Sequence, residues 1–503
     1  MASVVSTAPP TLAAGPRARP LLDVSAFRRP GLALACYAIV ASAVVGAAAY
    51  AGPVAGLAGL GVAMGGLAVL RWPAVGAFAL VGLVPATAGL KRGLPVPGLR
   101  ISEVLIVGIS TLILVTADRR AAPRWRTFDW VALTYCVATA ALGGADLLGR
   151  GGALTSDNLG TLFGPFQYLL LYRAVLTGLH TAEQRRRALA LLLIVSVPVS
   201  LSAVMQAAGV PGVRDVLSSV TDATPQGVFD YYLQQGVGRA TGPFAHPHML
   251  GGFELAIVLL AVGMWLDSRA RVLSRGALLI VTLAAVGGLL SASTATPVIA
   301  AGVGAVVLAW RAGRLRHAVI WLAAVLAVGA IVLGPQISQR YSQEYTRAPG
   351  ASVSPYIPGS LQYRAGVWER QYLPALSGRW LTGYGPDLPQ QITWKFTESL
   401  YITLLLRGGV PLLLAFLGLM GALFVAARRV AARDPAPDRV VAARAVAVLV
   451  VLLIPMHLVE PYFIDTGLPH VLWALAGLML APDLRARRDE ATETIEAVPA
   501  HAG

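Results

Sequence analysis

Apolar runs long enough to cross a hydrocarbon core of about 30 Å, at roughly 17–20 residues each, follow one another along most of the chain. They fall near 31–50, 52–70, 74–90, 101–117, 128–145, 159–178, 188–209, 249–267, 276–292, 294–310, 318–334, 409–427, 440–459 and 466–481. The pattern predicts an all-α polytopic membrane protein of about 14 transmembrane helices. Two boundaries are soft: only Arg71 and Pro73 mark a turn inside 52–90, and Ser291, Ser293 and Thr294 must serve as a short hairpin inside 276–310. The glycine-rich run from Gly56 to Gly66 reads as a packing face, because Gly61 and Gly65 form a small-xxx-small pair. It has neither the spacing nor the strand context of a phosphate-binding loop.

Two long loops interrupt this pattern, 210–248 and 335–397, and two stretches, Arg239 to His248 and Tyr363 to Tyr401, are too polar to lie in a membrane. Basic residues orient the rest. With the N-terminus inside, arginines fall in the inner segments 1–30, 118–127, 179–187, 268–275, 311–317, 428–439 and the C-terminal tail, as the positive-inside bias requires. Both long loops then lie on the outer face. The expected organisation is a cytoplasmic tail over 1–30, one transmembrane domain over 31–481 with extracytoplasmic loops 210–248 and 335–397, and a cytoplasmic tail over 482–503.

Composition agrees: of 503 residues, 56% are hydrophobic and 13% charged, and mean hydropathy is +0.67. The formal charge of +15 is largely accounted for by the inner arginines, so anionic lipid is the partner it implies. No nucleic-acid motif accompanies it. Cys36 and Cys136 both fall inside expected spans, which leaves neither a disulfide framework nor a thiolate cluster.

Candidate chemistry concentrates in two segments. The first, Gly238 to Gly252, carries Arg239, His246 and His248 among glycines and prolines that forbid a regular helix until a span begins near Met249. Two imidazoles with no nearby third ligand make a weak metal site, so hydrogen bonding is the role expected of them. In the second, Tyr363 to Tyr372 places Arg364, Trp368 and Gln371 on one helical face and Arg370 on another. Gly383–Tyr384–Gly385–Pro386 follows, then Thr397 to Pro411, in which Glu398 and Tyr401 open a helix that Gly408, Gly409 and Pro411 break or bend. Glu398 is expected at or above the outer interface, as a base or as a charge that caps the helix.

Three runs, RATGPFAHPHMLGGF, LLSASTATPVIAAG and YRAGVWERQYLPAL…GYGP…TESLYITLLLRGGVP, resemble the successive signatures of the O-antigen ligase and O-antigen polymerase family of bacterial membrane glycosyltransferases. The likeness covers roughly residues 235–415 in order. It implies a GT-C-like helical bundle in the cytoplasmic (inner) membrane, with an outward-facing site. The implied activity is metal-independent transfer of a glycan from an undecaprenyl-pyrophosphate carrier to a glycan or lipid acceptor. By the resemblance, Arg239 and Arg364 match the arginines that face the pyrophosphate. Where many members have His-Asn, this chain has Glu398–Ser399, which leaves the general base open between Glu398 and a histidine.

The residue chemistry points the same way. A pyrophosphate leaving group needs charge stabilisation, which arginine's planar fork supplies bidentately without a cofactor. An acceptor hydroxyl needs a base, and Glu398 is the best-placed carboxylate. The expected set is therefore Glu398, Arg239 and Arg364 as catalytic residues, with His246, His248, Trp368, Arg370 and Tyr401 shaping the substrate surroundings. Glu460 and Asp465 form an acidic pair without an assigned role. Two other classes stay open. A transporter should carry ionisable groups near the midplane of its spans, and a scaffold would bind lipid-linked glycan without turnover.

Overall fold

A computed structural model of the chain describes residues 53–93, 99–117, 123–221, 239–316, 338, 359–393 and 397–483. The expected spans 31–50 and 318–334, the N-terminal tail, Cys36 and nearly all of the C-terminal tail lie outside the described residues. The chain divides into two compact units, Met1–Gly65 and Gly66–Gly503. Of the first, only the opening turns of α1 (Pro53–Arg71) are described.

The second unit contains α2 (Pro73–Thr87), α3 (Ile101–Thr116), α4 (Thr127–Gly149), α5 (Ser156–Gly178), α6 (Ala182–Ala207), α7 (Val213–Val220), α8 (Pro247–Leu266), α9 (Arg275–Ser291) and α10 (Ala295–Arg311). Next comes α11 (Gly359–Val367), which runs on through a π-helical turn at Trp368–Tyr372 into Leu373–Ala375, then α12 (Leu400–Arg433), α13 (Pro437–Met456) and α14 (Leu468–Leu480). Among the described residues there is no β-strand, only an isolated bridge between Leu90 and Thr221. Helices thus cover twelve of the fourteen segments expected as spans. Five of them, α4, α6, α8, α12 and α13, are long and apolar enough to cross a membrane by length and composition.

Local chemistry sets the helix starts. Pro73, Pro247, Pro437 and Pro469 sit in the first turns of α2, α8, α13 and α14, where the missing N–H costs nothing. Thr155, Thr181 and Ser274 accept from the backbone N–H groups of Asn158, Gln184 and Ala277. Helix α14 is buried along its whole length, and α8 over all but Val262, Trp265 and Leu266, so their apolar character on every face reflects a central position. Peripheral helices invert this: Ile280 on α9 is 61% exposed and Ile299 on α10 is 65% exposed. Exposed aliphatic bands of this kind suit hydrocarbon and are consistent with a membrane protein.

Among the described residues, close helix contact occurs elsewhere than at Gly61 and Gly65. Both are exposed, and a Cβ built on either meets no described atom within 4 Å. Interhelical approach instead depends on Gly288, Gly304 and Gly477, where a Cβ would lie 2.6 Å from Glu254, 2.5 Å from Leu259 and 2.8 Å from Val175.

The break expected near Gly408 is present. Gly408 (φ −155°, ψ 16°) and Gly409 (φ 66°, ψ −164°) are non-helical inside α12. The freed backbone groups are taken up by the loop before the helix: Tyr384 N donates to Leu406 O at 2.6 Å, Gly385 N to Arg407 O at 3.1 Å, and Val410 N to Trp380 O at 2.7 Å. Backbones approach so closely that a Cβ on Gly383 would meet Leu406 O at 2.6 Å, and one on Gly409 would meet Trp380 O at 2.4 Å. Both glycines have positive φ, so the glycines of the Gly383–Pro386 and Gly408–Pro411 runs serve one interlock. The loop is also tied to α4. Arg150 and Arg379 both pair with Asp146, Arg379 at 2.8 Å, and Arg150 donates to the Tyr384 and Asp387 carbonyls.

Candidate functional site

Three helix ends meet: the N-termini of α8 and α12, and the turn between α13 and α14. Leu400 N donates to His457 O at 2.9 Å, and Thr466 Oγ1 lies 3.2 Å from Met249 Sδ. Gly252 allows this, because a Cβ there would press on Tyr462 at 3.1 Å and Leu468 at 3.3 Å. Around this junction α11 supplies Arg364, and the turn between α9 and α10 supplies Ser293 and Thr294.

Arg364 is the centre of the cluster. Its Nε donates to Glu398, and its Nη2 donates to Glu460 at 3.0 Å. Glu460 in turn lies 3.8 Å from Nδ1 of His248. The other ring nitrogen of His248 is 2.9 Å from Asp465. The result is a continuous chain of ionisable groups, Glu398–Arg364–Glu460–His248–Asp465, drawn from the segment just before α12, from α11, from α8 and from the α13–α14 turn. Burial pushes the Glu460 carboxyl above its ordinary value, against the opposing pull of His248 and Arg364.

Arg239 approaches from the other flank. Its Nη2 donates to Thr294 Oγ1 at 3.0 Å and its Nε to Ala292 O at 3.5 Å. The loop carrying it is clamped by Gln206, whose Oε1 accepts from the N–H groups of Thr241 and Gly242 at 2.9 and 3.0 Å. Both Arg239 and Arg364 are near enough to act electrostatically on Tyr462, whose hydroxyl is buried without a partner among the described residues. Burial raises that phenol well above its usual value.

His246 stacks on His248 with ring centroids 5.3 Å apart. Burial, with His248 adding to it, pulls His246 down to about 4, so it is neutral at physiological pH. Among non-glycine described residues, only Ser293 (φ 47°) and Glu398 (φ 48°) have positive φ. One lies between Ala292 and Thr294, which hold Arg239; the other is the Arg364 partner itself. Conformations of this kind cost on the order of 1–3 kcal/mol and cluster at functional sites.

The remaining expected residues are placed differently. Arg370 is exposed, and its Nε folds back on Gly366 O at 3.0 Å. Trp368 packs against the apolar cluster of Val367, Tyr372, Ile402 and Leu405 between α11 and α12. Tyr401 turns toward α13, donating to Ile454 O at 2.7 Å with its ring against His457. Glu398 does not cap α12. Its N-cap is Ser399, whose hydroxyl donates to His457 O at 3.3 Å.

Sequence reasoning left Glu460 and Asp465 without partners; the structure gives both to His248. It also overlooked Glu254, which lies fully buried within α8 and accepts from Ser200 Oγ at 2.8 Å. The only sequence signal for Glu460 and Asp465 was an acidic pair in a short turn between two apolar runs. Among the described residues no group of three or more His, Cys, Asp or Glu side chains is arranged to hold a metal ion.

No protein-family model matches the chain, and no curated protein matches it.

Proposed function

We propose that the chain is a membrane glycosyltransferase that takes a glycan from a lipid-pyrophosphate carrier, undecaprenyl pyrophosphate in the reading above, and joins it to an acceptor hydroxyl. The acceptor is a second lipid-linked glycan or another lipid, so the product is a polymer or a ligated glycan, and the site faces outward from the cytoplasmic membrane. The observation that carries this reading is the bridging of Glu398 and Glu460 by Arg364, beside Arg239, where three helix ends meet.

In the resting arrangement Arg364 is occupied by two carboxylates. Donor phosphate oxygens compete for the same guanidinium, and their arrival releases Glu398 close to the anomeric carbon. The acceptor hydroxyl then attacks that carbon and passes its proton to Glu398. As the new C–O bond forms, the bond from the anomeric carbon to the pyrophosphate oxygen breaks, and the leaving lipid pyrophosphate takes the electron pair. Arg364 and Arg239 stabilise the charge that develops there. Charge-assisted bonds of this kind are strongest where water is scarce.

One observation favours a second reading. A lone carboxyl buried in α8, Glu254, is what an ion- or proton-coupled transporter would place in a span. Reconstitution of the purified chain with a lipid-linked oligosaccharide separates the readings. Elongated or ligated product is expected; counterflow without product identifies a transporter, and saturable binding with neither identifies a scaffold.

A further inference from the structure

Beside the cluster, walled off from it by Asp465, lies a cavity of about 360 Å³ between α3, α4, α5, α12 and α14. Three arginines reach it: Arg92, Arg100 and Arg407. Arg92 is compensated by Glu103 at 3.3 Å and Asp157 at 3.2 Å. Asp465, the carboxylate that acts electrostatically on Arg407, is hydrogen-bonded to His248 on its far side. The Arg407 guanidinium itself makes no hydrogen bond or ion pair with any described residue. It stands at the last residue before the break in α12, and discontinuous helices in membranes serve to aim backbone and side chains at bound ions and substrates.

A second group in the wall also lacks a partner. Gln167 Oε1 is buried and accepts from no described residue, and a ligand in the cavity meets it once the side-chain amide turns inward. A guanidinium with no hydrogen-bonded or ion-paired partner calls for an oxyanion, and an orphan carbonyl oxygen calls for a donor. Both demands are met by one ligand that carries an oxyanion and hydroxyl groups. The volume is near the lower end of small-molecule pockets, which run from about 300 to 1,000 Å³, so it admits a single unit rather than an oligosaccharide.

We propose that this cavity is a second anion site which takes one hydroxylated, oxyanion-bearing unit, a sugar phosphate or a uronate, with Arg407 on the oxyanion and Gln167 on a hydroxyl. The assignment of that unit to a substrate rests on the transferase reading; the binding does not. The site is distinct from Arg364 and Arg239 and adds a requirement for negative charge at a second position.

The test is equilibrium binding to the full chain in nanodiscs, with glucose 1-phosphate, glucuronate and glucose as probes. Saturable binding of at least one charged probe is expected, and none of glucose. Two variants locate it. Arg407→Gln removes the cation. Gly164→Leu fills the cavity from its wall, where a Cβ meets nothing within 4 Å, and leaves every charge in place.

Each variant is expected to weaken binding of the charged probe about tenfold or more, the loss of one charge-assisted contact. The proposal stands only if both do so. If neither charged probe binds, if glucose binds as well as they do, or if either folded variant binds at wild-type strength, it is overturned. Should Arg407→Gln fail to fold, Gly164→Leu decides alone. Phosphate or carboxylate is then read from which probe binds. Binding without any transfer activity removes the transferase reading and keeps the site, whereas transfer without probe binding removes the site and keeps the reading.

Discussion

Arg364 holds Glu398 across a separation of 34 residues, with the guanidinium Nε donating directly to the carboxylate. The pairing holds an acid group close to where an anionic donor is expected, and it ties α11 to the start of α12. It also makes the two residues competitors: any phosphate that binds the arginine must displace the carboxylate.

Replacing Glu398 with Gln preserves an acceptor for Arg364 and removes the base. Transfer is expected to fall by about 10²–10⁴-fold, the usual worth of a positioned general base, with unchanged monodispersity and melting temperature. Full turnover in this variant removes Glu398 as the base and transfers the role to His248.

Arg364→Lys keeps the positive charge but cannot donate in fixed directions to Glu398 and Glu460 together. Turnover is expected to drop about ten- to a hundredfold, measured as kcat/KM for the lipid-linked donor. Wild-type kinetics in the lysine variant contradicts the role given to the planar fork.

Glu460 gives a pH signature. Its folded-state value lies above the ordinary one near 4.5 because burial disfavours the charge. A raised carboxyl contributes stability below the unfolded value and loses it as pH rises through the folded value. The contribution of Glu460 to stability is therefore expected to decline as pH climbs above about 4.5, and Glu460→Gln is expected to remove that component of the slope. Denaturant titrations in detergent at a series of pH values check this, and parallel pH profiles for the two proteins would refute it.

Gly409→Ala tests the interlock of the broken helix. The new Cβ would stand 2.4 Å from Trp380 O at a φ of 66°, so a loss of about 2 kcal/mol or more is expected from strain and clash. Gly418→Ala, where a Cβ meets nothing within 4 Å, is the control and is expected to be neutral or slightly stabilising. Equal melting temperatures for the two variants would mean that the break is not held by these contacts.

Helix positions were legible in the sequence because apolar run length and proline placement act locally. The break in α12 was legible for the same reason: Gly408, Gly409 and Pro411 cannot continue a helix whatever surrounds them. Arg364 and Glu398 could be singled out because they stand in a polar stretch between apolar runs and in the runs that carry the family resemblance. The partners of His248 could not, since Glu460 and Asp465 lie more than 200 residues away and only the packing of α8 against α13 and α14 brings them together. Arg370 and Tyr401 show the converse. Tyr401 follows Glu398 at helical spacing but turns toward α13, and Arg370, chosen for its charge beside Arg364, points to the surface. Periodicity assigns a face to a side chain without saying which neighbour that face meets.

Asp465 belongs to two compartments at once, touching His248 on one flank and lining the Arg407 cavity on the other. On the proposal made for the cavity, an oxyanion bound at Arg407 changes the electrostatic surroundings of Asp465, on which His248 depends, and a change of charge at His248 is felt at the cavity in turn. By linkage the coupling is reciprocal and equal in free energy. Occupancy of the proposed cavity site and the charge state of the histidine are then expected to be coupled through one shared carboxylate.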